Sequence, residues 1–334
     1  MLKESEFKPP WWLSNRHLQT FWSPLAPKTP IPNLLRKRLE LADGDFLDLD
    51  WVNRDKTSPT LVLLHGLEGN LDSPYLRRML NQLEAKGWRG LLVYWRGCSG
   101  EPNRTDKTYH AGRSEDLEAV MQHLAANDIE QPIFVAGYSL GANILLKWLG
   151  EKGRDGLDAP IRAGFAVSTP FDLSICADSI DKGFSKIYKH YLLSTLKKKI
   201  IAKYSAERLL KLLNLTAKDI LLISSMREFD DRISSKLNGF LDANDYYVQS
   251  SSKQYLKYIQ VPTVVMHAAD DPFMSPEIIP KESELTSSLE LRISENGGHV
   301  GFVRDIDKSG NSFYLETSIL DYFSSFVDAK EKSA

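Results

Sequence analysis

Two rhythms of apolar and polar positions divide the chain. Leu35, Lys37, Leu39 and Leu41 frame one alternating run, and Phe46 to Val52 frames a second through Leu47, Leu49 and Trp51. Asp43-Gly44-Asp45 supplies the turn between them, so a hairpin is predicted. Thr60-Leu61-Val62-Leu63-Leu64 is apolar without interruption, the pattern of a strand covered on both faces, and a helical stretch follows near residues 73–86. Strand then helix recurs at 91–95 and 113–127, and again at 133–136 and from about Ser139 to Glu151. Further strands are predicted at 164–167, 261–267 and 289–293, with a closing helix near 313–327. This alternation implies a mostly parallel sheet with helices on both faces.

Between about residues 171 and 258 the rhythm changes. Helical patterns (Ile187, Tyr191, Leu192, Leu196; Leu209, Leu210, Leu213) replace apolar strands. The segment reads as a helical cap inserted over the carboxyl edge of the sheet, where open α/β sheets bind their substrates. Residues 1–33 are crowded with proline and tryptophan (Pro9-Pro10-Trp11-Trp12, Trp22, Pro24, Pro27, Pro30, Pro32), which predicts an arm without regular structure wrapped on the core. The expected organisation is an arm over 1–33, a core over 34–170 and 259–330, and a cap over 171–258.

Candidate chemistry sharpens this picture. Gly137-Tyr138-Ser139-Leu140-Gly141 lies between the apolar run Ile133 to Ala136 and the helical run Ala142 to Leu149. Strand, sharp turn and helix are the context in which a G-x-S-x-G motif lifts a serine out of a sheet as a nucleophile. The turn also sets Ser139 at a helix N-terminus, where free N–H groups favour developing negative charge.

A serine hydroxyl needs a base, and the base needs a carboxylate to fix its tautomer. Of 7 histidines, His299 stands out in the glycine-rich Asn296-Gly297-Gly298-His299-Val300-Gly301 after the last predicted strand. Asp271 is the preferred carboxylate, because Pro272 stiffens a turn directly after a buried strand; Asp270 is the fallback. The chain order Ser139, Asp271, His299 suits a hydrolase of this architecture. The oxyanion would be met by the backbone N–H groups of Leu140 and of Leu67, the latter in His65-Gly66-Leu67-Glu68-Gly69. Glu68 itself would repel an oxyanion. His65, Gly66 and Tyr138 are expected to border the substrate pocket, and the chemistry calls for no cofactor or metal.

With those residues placed, the chain resembles the YheT-like branch of the α/β-hydrolases, related to eukaryotic α/β-hydrolase-domain esterases and acylglycerol lipases. The resemblance runs over nearly the whole chain: Pro10-Trp11-Trp12-Leu13 with Asn15, His17 to Thr20, His65 to Gly69, Arg96 to Glu101, Tyr109 to Gly112, Gly137 to Asn143, Asp270 to Phe273 and Gly297 to Gly301. It implies an α/β-hydrolase fold, and it carries nucleophile, acid and base onto Ser139, Asp271 and His299. The implied activity is hydrolysis of carboxylic esters through an acyl-enzyme, on a short-chain ester or an acylglycerol. Acyl transfer or thioester cleavage by the same triad is the alternative, and a non-catalytic binding protein is the reading outside enzymes.

Composition narrows the partners. Formal charge is −2 from 42 basic and 44 acidic residues, so no positive field gathers nucleic acid. Absence of a signal-like start and two distant cysteines predict a reduced, cytoplasmic chain, and no apolar run predicts a membrane span. The face of Phe184, Ile187, Tyr188, Tyr191 and Leu192 beside Lys197-Lys198-Lys199 is read as a cap helix packed on the core with a solvated lysine run, peripheral contact with a lipid surface being its alternative.

Overall fold

The computed structural model describes residues 1–25, 29–126, 131–305 and 312–331; Pro27 and Asn127, the expected end of a helix, lie outside the described residues. The strands are β1 (Leu2–Glu4), β2 (Leu35–Glu40), β3 (Phe46–Val52), β4 (Thr60–Leu64), β5 (Arg89–Val93), β6 (Ile133–Tyr138), β7 (Ala163–Val167), β8 (Thr263–Ala268) and β9 (Leu289–Ser294). They form one sheet in the order β1-β9-β8-β7-β6-β4-β5-β3-β2. Every pairing from β1 to β5 is parallel, and β3 and β2 add an antiparallel hairpin at the other edge.

Successive side chains of a strand point to opposite faces. Val62, Leu64 and Val135 therefore join one apolar cluster, and Leu61, Leu63, Phe134 and Ala136 join another. The first cluster is covered by α3 (Ser114–Ala126) and α4 (Leu140–Arg154), the second by α2 (Pro74–Lys86) and α12 (Tyr314–Glu331). Continuous apolar runs were needed in the middle strands because neither face meets water.

The N-terminal arm departs from its expectation. Leu2–Glu4 extends the sheet as an edge strand on β9, and α1 (Arg16–Leu25) is a regular helix. No proline falls between Trp11 and Ser23, and Asn15 Oδ1 accepts from the N–H groups of His17 (2.9 Å) and Leu18 (3.3 Å), starting the helix as a cap.

Between β7 and β8 the chain is helical, with α5 (Leu173–Ser179), α6 (Lys186–Lys203), α7 (Ala206–Leu213), α8 (Ala217–Leu222), α9 (Met226–Phe229), α10 (Ser235–Asn238) and α11 (Ala243–Ser250). Leu193, Leu196, Ile200, Leu209, Ile220, Phe229 and Ile233 give this segment an apolar cluster of its own. It leaves and rejoins the sheet through one neck, where Lys253 N–H donates to Phe171 O (3.0 Å) and Leu173 N–H to Ser251 Oγ (3.0 Å). Asn143 of α4 fastens the neck from beneath, donating to Ser250 O (2.8 Å) and accepting from Ser252 N–H (3.0 Å).

Among the described residues, no helix is long and apolar enough to cross a membrane.

Candidate active site

The elbow follows from sterics. Ser139 sits at φ 52°, ψ −118°, a strained conformation for a residue with a Cβ, between the last residue of β6 and the first of α4. Glycines flank it because nothing larger fits. A Cβ on Gly137 would come within 2.7 Å of Ala142 N, and one on Gly141 within 2.4 Å of Leu64 O.

His299 brings its Nε2 to 2.9 Å from Ser139 Oγ and its Nδ1 to 2.7 Å from Asp271 Oδ2. A carboxylate can only accept, so Nδ1 carries the proton and Nε2 is left to receive that of the serine. Asp271 is 2% exposed, and its Oδ1 accepts from Phe273 N–H at 2.8 Å. The Phe273 ring stacks on the imidazole at 4.0 Å and 10°. Asp270 takes another part: its Oδ1 accepts from Gly298 N–H at 2.9 Å, and burial pushes its carboxyl up. Asp271 thus touches the imidazole, and Asp270 only the loop that carries it.

The base loop is held by side chains from distant segments. Three consecutive amides, those of Gly298, His299 and Val300, donate to Asp270, Thr20 Oγ1 (2.9 Å) and Ser168 Oγ (3.0 Å). Gln19, fully buried, accepts from Val303 N–H (2.8 Å) and donates to Val303 O (2.9 Å) and Leu13 O (2.8 Å). Gly298, at φ +59°, is pressed so close to α1 that a Cβ would lie 2.5 Å from Arg16 O.

In the sequence Gln19 and Thr20 carry only the family resemblance; their hold on the loop of His299 arises from partners brought together by folding. Thr20→Val is expected to lower kcat about tenfold by loosening the base, with KM little changed. Gln19→Leu should destabilise the fold by about 1–3 kcal/mol, since it orphans buried backbone groups. Steady-state kinetics and denaturant melts read the two effects, and a Thr20→Val kcat within twofold of the parent would refute the first.

The expected oxyanion donors are the N–H groups of Leu67 and Leu140. Leu67 and Leu140 both line the cavity that contains Ser139, and among the described residues neither N–H is spent on a protein acceptor. Gly66 abuts Ser139, since a Cβ there would sit 3.1 Å from Ser139 Cβ.

None of His65, Gly66 and Tyr138 lines the cavity, contrary to the sequence expectation. His65 is fully buried; its Nδ1–H donates to Gly66 O (2.7 Å) and its Nε2 accepts from Trp95 N–H (3.1 Å). Burial drives its pKa down to about 4, so it is a neutral strut for the donor loop. Tyr138 is the last residue of β6 and points to the opposite face of the sheet, where its ring packs on Tyr75 at 4.4 Å.

The cavity, about 380 Å³, is predominantly apolar. Leu67, Ser139 and Leu140 line it from the core side and Leu192, Leu196 and Lys199 from α6. The lysine run is not uniformly solvated: Lys198 is exposed, whereas Lys199 turns inward and binds Glu68 Oε1 at 2.9 Å. Tyr188 is likewise buried, packed on Phe273 (4.8 Å), while Phe184, Ile187 and Tyr191 stay more than half exposed. Among the described residues, no group of three His, Cys, Asp or Glu side chains converges as a metal site.

Comparison with known proteins agrees with this architecture. The family described as alpha/beta hydrolase fold matches residues 59–305. YheT of Escherichia coli (strain K12), provisionally named an esterase, is 39% identical over 338 residues, spanning 98% of this chain and 95% of its own. Human phospholipase ABHD3 is 28% identical over 309 residues, 90% of this chain and 74% of its own. Among solved structures, a Pyrococcus furiosus esterase shares the fold at 17% identity with a TM-score of 0.56, over 88% of this chain and 91% of that one. Matched over most of its length by the family and over nearly all of it by YheT, the chain belongs to the α/β-hydrolases, in the branch that holds YheT.

Proposed function

We propose that the chain is a serine hydrolase of carboxylic esters. One observation carries the reading: a continuous hydrogen-bonded path, Ser139 Oγ to His299 Nε2 at 2.9 Å and His299 Nδ1 to Asp271 at 2.7 Å, opens on a predominantly apolar cavity. His299 takes the serine proton as Ser139 attacks the ester carbonyl. The oxyanion is met by the N–H groups of Leu67 and Leu140, and His299 returns the proton to the departing alcohol. Water then clears the acyl-enzyme with His299 as base. The names of its relatives, an esterase and a phospholipase, favour an ester as substrate. The apolar lining suits a short-chain ester or an acylglycerol.

In this reading residues 1–33 are an arm that braces the base loop, 34–170 and 259–330 the catalytic core, and 171–258 the cap. The free thiols of Cys98 and Cys176 fit a cytoplasmic setting. The half-exposed Phe184, Ile187 and Tyr191 beside Lys198 are a place for peripheral lipid contact.

A fluorophosphonate probe tests the nucleophile. Labelling is expected for the parent and lost in both Ser139→Ala and His299→Ala; a serine variant that still labels fully sinks the reading.

A further inference from the structure

Glu68 is a carboxylate one residue beyond the donor Leu67, a placement that works against an oxyanion unless its charge is compensated. Its backbone lies at φ +55°, in the left-handed region that a side-chain-bearing residue adopts at a cost. Two partners hold it there. Tyr109 Oη accepts from Glu68 N–H (2.9 Å) and donates back to Glu68 Oε1 (2.6 Å), closing a ring that fixes the loop. Lys199 Nζ donates to the same Oε1 at 2.9 Å and lies 3.4 Å from Cys98 Sγ. The Glu68 side chain is only 6% exposed, and Lys199 comes from α6, across the cavity from the sheet.

Resting on the reading of Leu67 as an oxyanion donor, we propose that Lys199 is a positioning residue for that donor: its ammonium neutralises Glu68 and ties the donor loop to the cap. The oxyanion site is then complete only with α6 seated on the core. Lys199 touches no reacting atom, and it acts by cancelling a charge that would oppose the transition state and by holding the loop through which the Leu67 N–H is aimed.

The test uses the full-length chain with an acetyl ester, too small to fill the cap side of the cavity, and methylboronic acid as a transition-state mimic. Lys199→Met should lower kcat at least tenfold, keep KM within about twofold, and weaken the boronate by the same factor as kcat/KM. Lys199→Arg should retain most activity. Glu68→Gln combined with Lys199→Met should recover most of the loss, because no charge is left to neutralise.

A lysine that merely fastened the cap would instead raise KM, lower Tm, and gain nothing from Glu68→Gln. That pattern, or a Lys199→Met kcat within twofold of the parent, overturns the inference. Should Lys199→Met fail to fold, Lys199→Gln takes its place with the same criteria. A Ser139→Ala control separates the two levels: an active serine variant defeats the hydrolase reading, whereas an inactive one beside an unaffected Lys199→Met defeats only the inference.

Discussion

Asp271→Asn is expected to lower kcat for ester hydrolysis on the order of 10⁴-fold, while Asp270→Asn lowers it less than tenfold. The difference lies in what each carboxylate holds. Asp271 Oδ2 accepts the imidazole Nδ1–H at 2.7 Å in a site 2% exposed, so it fixes the tautomer and, in the proposed mechanism, would stabilise the imidazolium formed during attack. An asparagine amide supplies either a weaker, uncharged acceptor or an N–H₂ that forces the proton onto Nε2, where it blocks receipt of the serine proton. Asp270 accepts from the Gly298 N–H and from the Asn296 side chain, both within the loop, and an asparagine oxygen serves there nearly as well. Steady-state kinetics on the two variants decides the matter, and an Asp270→Asn loss larger than that of Asp271→Asn would reverse the assignment.

The second large effect concerns stability. Arg96→Met is expected to destabilise the fold by about 3–5 kcal/mol, a Tm fall on the order of 10 °C. The Arg96 guanidinium is 4% exposed and pairs with both oxygens of Asp116 (2.9 and 2.7 Å), with Asp43 (2.6 Å) and with Asp45 (3.0 Å). Removing it takes the central cation from three carboxylates, leaving Arg113 at 3.2 Å from Asp116 and 3.6 Å from the partly exposed Asp43, and only neutral donors on the fully buried Asp45. The same cluster sets an acid limit. Burial alone would raise the Asp45 pKa, but Asn103, Thr105 and the N–H groups of Arg104 and Phe46 hold it down, from the ordinary 3.8 to about 2. A carboxyl depressed in the fold stabilises above its ordinary value and loses that contribution as pH falls through about 2. Denaturant midpoints should therefore decline from about pH 4 towards pH 2, and a midpoint unchanged by Arg96→Met would refute the larger claim.

The sheet was legible because its central strands are covered on both faces, which forces apolar runs such as Leu61 to Leu64 and Val264 to Met266. Ser139, Asp271 and His299 could be singled out because elbow, post-strand aspartate and glycine-rich loop each carry a local signature. Leu2–Glu4 could not, since three exposed residues become a strand only by pairing with β9. Nor could Thr20 and Gln19, whose partners lie 279 and 284 residues away. Lys199 sits in a run that reads as solvated, and only the folded helix turns one lysine of three inward. His65 misled in the opposite direction: a polar residue in a glycine-bearing loop invites placement at the pocket, whereas its ring nitrogens are spent on Gly66 O and on the Trp95 N–H just beyond β5.

The neck between Phe171 and Lys253 makes residues 172–252 exchangeable. A segment that departs and returns at a single hydrogen-bonded doorway imposes almost no length on the host, because closing a loop depends only weakly on how many residues it contains. A chimaera that keeps Asn143 and its partners Ser250 and Ser252 as a fixed seam, together with Ser185 on Pro272 and Tyr188 on Phe273, would keep the surroundings of Ser139, Asp271 and His299 while receiving a different roof over them. On the proposed hydrolase reading, substrate preference is then graftable so long as the new roof keeps a lysine at the place of Lys199 against Glu68.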